Sequence, residues 1–555
     1  MRRTGPVLGW GRKACDGATS GASWRGWVVA AVAGTLVLAG CTSPSGVRAS
    51  GGASSSESGG TSGPTSSSPG ATSPLASAST DPAKDPALAR FYHQKLSWVP
   101  CQVPSGASGF QCATLSVPVD YAKPTGATLG VRLDRLQASE ASSRIGSLVL
   151  NPGGPGGSGV EYASYANAVV SPAVRARYDI VGFDPRGVGR SDPVRCLTDS
   201  ETDTFLAADA SPQTTAQVKA VVALSKLLGQ RCQRRASTLL AHVGTLDVAR
   251  DLDVLRAALG QTRLDYLGKS YGTFLGATYA GMFPWRVGRL VLDGALDPQL
   301  SSQQINLGQA GGFEIALNAF LSNCIQQSGC PLAGTLSQAR TRLKSFLDGM
   351  ANTNLPGSGG RELTQSLAVL GIVFAMYDQS FWPQLRVALG SALAGRGAGL
   401  LALADAYANR DPNGHYASNE NDVIYAVNCL DRPTPEGPAQ IQAQLPAFEK
   451  VSPIFGDYIA WSSLPCHYWP VPPEMTPHAV HAAGAAPILV VGTTRDPATP
   501  YAWAVSLAKE LDSGVLLTYV GDGHTAYRRG SACIDNAVDA YLLTGKPPTN
   551  GTRCS

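Results

Sequence analysis

The stretch LDYLGKSYGT, residues 264–273, constrains the fold more than any other. An apolar run, Leu264–Leu267, ends in Gly268, and Ser270 sits between Gly268 and Gly272. Small residues then continue to Phe283. This predicts a strand, a tight corner and a helix, with one hydroxyl at the corner. Alone the pattern is weak in a chain with 62 Gly, so its surroundings must support it. They repeat the rhythm. Ser147–Leu150 and Asp179–Phe183 read as buried strands before it, and Arg289–Leu292 after it. Thr245 can cap a helix that carries Val248, Leu252, Leu255 and Leu259 along one stripe and is stopped by Gly260. Strand alternating with helix predicts an α/β class with a mostly parallel sheet. From 301 to 464 the pattern becomes amphipathic helix, and strand runs resume at Ile488–Val491 and Val515–Val520. The expected layout is therefore a sheet core over 89–300 and 465–555, with 301–464 inserted as a helical cap. An independent helical domain is the alternative for the insert.

The N-terminus carries different information. Arg2, Arg3, Arg12, Lys13 and Arg25 precede the apolar run Trp27–Gly40, which is short for a membrane span and suits an export signal. It ends in Leu38-Ala39-Gly40-Cys41, which resembles a bacterial lipobox. The expectation is a lipoprotein signal over 1–40, with lipidated Cys41 anchoring the protein to the outer face of the cell membrane. Residues 41–88 are dominated by Ser, Gly, Thr, Pro and Ala and are expected to form a disordered tether.

Of twelve Cys, ten follow Cys41. An even number in an exported chain points to disulfides. The simplest pairing joins sequence neighbours: Cys101 with Cys112, Cys196 with Cys232, Cys324 with Cys330, Cys429 with Cys466, and Cys533 with Cys554. The chain has no C-x-x-C pair, so no structural metal is expected, and no cofactor. Charged residues are 15% of the chain, the net charge is +4, and no basic block is interleaved with aromatics. Nucleic acid is therefore not an expected partner. A monomer is expected.

A serine hydroxyl needs a base before it can act as a nucleophile. Only seven His are present. His524 alone lies just past an expected core strand, in VGDGHTAY. Asp496 follows the strand run ILVV in GTTRDPATP. The chain order Ser270, Asp496, His524 is that of α/β-hydrolases. Tyr271 N–H, at the start of the following helix, is the expected first oxyanion donor. The loop NPGGPGG after the 147–150 strand should supply the second, with Gly154 preferred and Gly153 next. Pro500 is expected at the first position of a helix, with Thr499 as its cap and a direct role for Thr499 near the triad as the alternative. The segment DPRGVGRS, Asp184–Ser191, is expected to brace the site loop.

With these pieces in place, the chain resembles secreted actinobacterial serine peptidases of the tripeptidyl aminopeptidase type, relatives of proline iminopeptidases. The resemblance rests on NPGGPGGSG, GFDPRGVGRS, LGKSYGTFLG, LVLDGALDP, AVNCLDRP, GTTRDPATP, GDGHTAY and the tail CIDNAVDAYLLTGKPPTNGTRC, and it runs from about residue 95 to 554. It implies an α/β-hydrolase fold with a triad of Ser270, Asp496 and His524, acting on peptides near a free N-terminus. Proline iminopeptidases begin the glycine loop with His, where this chain has Pro152, so cleavage beyond single prolines stays open. A carboxylesterase or lipase acting on envelope esters is the alternative, since the same triad serves both. A noncatalytic binding lipoprotein is a third reading, and a complete triad argues against it. An aminopeptidase-like site needs a carboxylate for the substrate ammonium. Glu420, Asp422 and Asp431 are available in the cap. Asp431, beside Cys429, is the expected choice, with a turn-capping role as its alternative.

Overall fold

The computed structural model describes residues 81–555. The expectations for the export signal, for Cys41 and for the tether as far as residue 80 lie outside the described residues.

The strands in chain order are β1 (Val99–Pro100), β2 (Phe110–Pro118), β3 (Thr128–Leu136), β4 (Gly146–Asn151), β5 (Tyr178–Phe183), β6 (Leu264–Lys269), β7 (Val287–Asp293), β8 (Leu355–Pro356), β9 (Glu362–Leu363), β10 (Ile488–Arg495), β11 (Gly514–Asp522) and β12 (Thr552–Cys554). β8 and β9 form a small separate hairpin. The other ten make one sheet in the order β1-β2-β3-β5-β4-β6-β7-β10-β11-β12. β1 to β3 are antiparallel, and β3 joins β5 antiparallel. Every pairing from β5 to β12 is parallel.

The central strands are apolar on both faces because both faces are covered. Leu148, Leu150, Leu267, Val291, Leu489 and Val491 feed one core. Their alternates Val149, Tyr266, Leu290, Leu292, Ile488 and Val490 feed the other. Successive side chains point to opposite faces of a strand, so one run of sequence supplies two layers. The chain passes from β4 to β5 on one side and returns to β6 on the other. This reversal opens a crevice at the carboxyl ends of β4 and β6.

Between β7 and β10 the chain makes a helical insertion, from helix Ser302–Ile325 to the short helix Leu464–His467. It has its own core, which includes Leu317, Phe320, Ile372, Leu385 and Leu400. β7 and β10 are parallel neighbours, so the sheet resumes where it was left.

Two local expectations need correction. Residues 81–88 were expected within the disordered tether, yet Pro82–Lys84 form a short helix, Asp81 pairs with Arg286, and Leu88 is buried. Leu88, Phe91 and Tyr92 supply the apolar surface that ties this segment to the core. Thr245 was expected to cap its helix from outside. The helix spans Thr245–Ala258 with Gly244 as N-cap, and Thr245 is its first residue. The antiparallel strands β1 to β3 and the long helix Thr215–Ala236 had no counterpart in the sequence reading. All five disulfides join sequence neighbours in the expected pairs. Among the described residues, no helix is long and apolar enough to cross a membrane.

Arg186, in the DPRGVGRS segment, is fully buried. It donates to both Asp251 oxygens at 2.7 Å and to the carbonyls of Pro118, Val119 and His242 at 2.9, 2.8 and 3.0 Å. Those bonds join the end of β2 to the helix Thr245–Ala258. In the same segment, Asp184 accepts from Ser158 Oγ at 2.5 Å, Val160 N–H at 3.2 Å and Arg190 N–H at 2.9 Å. It thereby holds the residues that follow the glycine loop after β4.

Candidate active site

Ser270 lies between β6 and the helix Tyr271–Met282, with φ 55° and ψ −126°. A positive φ is costly for a residue with a side chain, and it persists only when the surroundings enforce it. The flanking glycines do so by allowing close approach. A Cβ on Gly268 would fall 2.3 Å from Gly272 O, and one on Gly272 would fall 2.8 Å from Asn151 Oδ1. The corner is further fixed by Ser270 N–H donating to Asp293 O at 3.0 Å and Thr273 N–H donating to Ser270 O at 2.8 Å.

Asp496 follows β10 and His524 follows β11, so neighbouring strands bring them together. His524 Nδ1 lies 2.9 and 3.0 Å from the two Asp496 oxygens. The carboxylate also accepts N–H bonds from Ala498 at 3.0 Å, Thr499 at 2.8 Å and Thr525 at 3.1 Å. This pairing favours the tautomer with its proton on Nδ1, which leaves the Nε2 lone pair available. The His524 ring packs on Gly294, where a Cβ would fall 3.3 Å from its Cε1. Gly294 directly follows Asp293, whose carbonyl holds Ser270. The imidazole and the serine are thus gathered on one short segment. The described residues form no hydrogen bond between them, and such bonds commonly tighten only with substrate bound.

The glycine loop after β4 approaches the same corner. A Cβ on Gly153 would fall 2.9 Å from Ser270 Cβ and 3.1 Å from Tyr271 N. Gly153 N–H itself donates to Asn151 Oδ1 at 2.9 Å. Among the described residues, the N–H groups of Gly154 and Tyr271 make no hydrogen bond.

Thr499 departs from the expected cap geometry. The next helix is Tyr501–Glu510, with Pro500 at its N-cap and no side-chain cap bond. Thr499 Oγ1 lies 3.3 Å from His524 Nδ1. The sequence reading also missed Tyr377 of the insertion. Its carbonyl accepts His524 N–H at 2.9 Å, and its ring stands edge-on to the imidazole at 5.3 Å. No periodicity marks such a contact, because it joins segments far apart in the chain.

The three acids of the insertion have different surroundings. Asp431, expected to hold a substrate amine, is only 1% exposed. Its oxygens accept Thr245 N–H at 2.8 Å and Thr245 Oγ–H at 2.6 Å. That expectation is therefore corrected: Asp431 caps a helix. Burial pushes its carboxyl up to about 6, against the Thr245 bonds and the Arg432 charge. Asp422 is buried and accepts Cys196 N–H at 2.9 Å. Glu420 is half-buried and lies against the glycine loop, where a Cβ on Gly154 would fall 3.0 Å from its Oε1. Among the described residues, its carboxylate has one hydrogen bond, from Asn409 Nδ2 at 3.3 Å. Desolvation, with the Glu161 charge adding, pushes its carboxyl up to about 7.

The sequence model of the TAP-like protein family matches residues 452–554, which include Asp496 and His524. The chain is 39% identical over 483 residues to serine protease Hip1 of Mycobacterium tuberculosis, covering 83% of this chain and 91% of that one. It is 39% identical over 494 residues to a protein of the same organism named carboxylesterase B, covering 87% and 94%. It is 33% identical over 479 residues to tripeptidyl aminopeptidase of Streptomyces lividans, covering 84% and 88%.

Loss of the Asp431 cap leaves the buried Thr245 N–H unpaired, while the Thr245 hydroxyl keeps the Tyr271 hydroxyl as a partner. Asp431→Ala should cost about 1–3 kcal/mol of stability in denaturant unfolding. The KM values for amine-bearing and uncharged substrates should be left in unchanged ratio. A selective rise in KM for amine-bearing substrates would return Asp431 to the binding role.

Proposed function

The chain belongs to the family of α/β-hydrolase serine peptidases of the tripeptidyl aminopeptidase type, and from that premise we propose an exported peptidase acting at free peptide N-termini through an acyl-enzyme. The observation that carries the reading is the bond of His524 to Asp496 beside a serine held at positive φ. In this mechanism His524 Nε2 takes the Ser270 proton as Oγ attacks the scissile carbonyl. Tyr271 and Gly154 N–H groups, which make no hydrogen bond among the described residues, receive the developing oxyanion. His524 then returns the proton to the leaving amine. Water, deprotonated by the same nitrogen, releases the acyl group from Ser270.

Glu420 supports the peptidase form of this chemistry. It is the acid of the insertion that faces the glycine loop with only one long hydrogen bond. A substrate ammonium would supply the partner it lacks. The relative named carboxylesterase B keeps an esterase reading in play. Five disulfides suit an oxidising compartment outside the cytoplasm. We place the protein there on a lipid at Cys41.

Two experiments test these proposals. The first compares peptides with free and blocked N-termini, alongside short-chain esters. Free-amine peptides should be preferred, and their KM should fall as pH rises through about 7 and Glu420 ionises. Glu420→Gln should raise that KM roughly 10–100-fold, in line with about 1.5–3 kcal/mol for a charged hydrogen bond. It should also flatten the pH dependence. Indifference to blocking, with esters turned over faster, would establish the esterase instead. The second follows a Cys41→Ser chain in the native host. It should leave the membrane fraction or accumulate unprocessed. Normal processing and unchanged detergent-dependent membrane association would refute the anchor.

A further inference from the structure

The residue before the nucleophile corner is a lysine, Lys269, and nothing in the chemistry above uses it. Its side chain is 11% exposed. The ammonium donates to the Tyr527 carbonyl at 2.7 Å and lies 3.5 Å from Asp293 Oδ2. Tyr527 is three residues past His524, so the lysine reaches from the serine corner to the loop that carries the imidazole.

Asp293, the last residue of β7, is fully buried and links the same two places. Its Oδ1 accepts Ala526 N–H at 2.8 Å and its Oδ2 accepts Tyr527 N–H at 3.0 Å. Its main-chain oxygen accepts Ser270 N–H at 3.0 Å. We propose that Lys269 and Asp293 form a positioning pair that holds the His524 loop in register with Ser270. The proposal rests on the reading that Ser270 and His524 carry the chemistry.

Charge must balance in a place this well buried. Two amide donors alone leave a buried carboxylate short of a counter-charge, and an uncompensated buried charge is strongly destabilising. Lys269 supplies that charge from the strand next to β7. Nearby charges are otherwise engaged: Arg529 pairs with Asp378 of the insertion, and Arg528 pairs with Asp535 at 3.0 Å. The Tyr527 ring lies 6.0 Å from the ammonium, and Tyr162 is buried nearby with its hydroxyl influenced by Asp293 and Arg529. Burial brings the lysine down to about 8, with Asp293 and Asp535 opposing the fall and Arg529 adding to it. Above that pH the ammonium becomes neutral, Asp293 is left uncompensated and the His524 loop loses its hold.

The test uses the whole folded protein and an uncharged ester, so that no substrate amine titrates. Wild-type kcat should fall through an alkaline limb near pH 8. Lys269→Gln keeps an amide donor without the charge. It should lower kcat about 10–100-fold with KM within about two-fold, the scale of a misplaced catalytic group. It should also lose the limb. Asp293→Asn should lower kcat in the same way. Absence of the limb in wild type overturns the proposal without any variant. So does a Lys269→Gln enzyme with wild-type kcat, or one with lower kcat that keeps the wild-type limb. Ser270→Ala separates the two levels of inference. If it is inactive while Lys269→Gln behaves as wild type, only the positioning pair fails. If it is active, the underlying triad reading fails.

Discussion

The crowding around Ser270 is the constraint from which the rest of the site follows. β6 ends between β4 and β7, and the chain must turn there into a helix with no room for a methyl group at Gly268 or Gly272. Asn151, at the end of β4, fills the space beside Gly272. It also accepts the Gly153 N–H, which sets the path of the glycine loop. Asp293, at the end of β7, holds the Ser270 N–H from the other side. A serine wedged this way cannot relax to negative φ without disturbing three strand ends. The strain is thus held where three buried strands end side by side, and their packing can sustain it.

The acids near this corner differ in how fully they are satisfied, and that difference sorts their roles. Asp496 receives His524 Nδ1 and three backbone amides, so it is a fixed acceptor that orients the imidazole. Asp431 and Asp422 are committed to backbone amides of Thr245 and Cys196. Glu420 has one weak partner and a raised pKa, the condition of a group that gains most from a cationic ligand. The insertion serves the site in two ways. It carries Glu420 to the glycine loop, and it holds His524 through Tyr377.

Much of this was legible in the sequence because parallel strands announce themselves. Runs such as SLVL, DIVGF and ILVV are apolar on both faces, and each gave its strand to within a few residues. The order of Ser270, Asp496 and His524 could be read because each follows such a run. The hairpin β2–β3 went unread although its strands do alternate. Ala113, Leu115 and Val117 of β2, and Leu129, Val131 and Leu133 of β3, are buried with more exposed residues between them, a period-2 pattern unlike the continuous apolar runs of the parallel strands. The choice among Glu420, Asp422 and Asp431 was hidden. It depends on which amide each carboxylate meets, and Thr245 lies 186 residues from Asp431. Proximity to Cys429 suggested a rigid carboxylate. It could not reveal that a buried helix start had already taken it.

Every step proposed for the site requires Ser270 to become a covalent nucleophile with His524 as its base. Peptide mass spectrometry after reaction with a fluorophosphonate probe tests this most directly. A single adduct on Ser270 is expected in the native enzyme, with a labelling rate lower by about 10²–10⁴-fold in His524→Ala, the usual worth of a general base. Labelling elsewhere, or equal rates with and without His524, would contradict these roles.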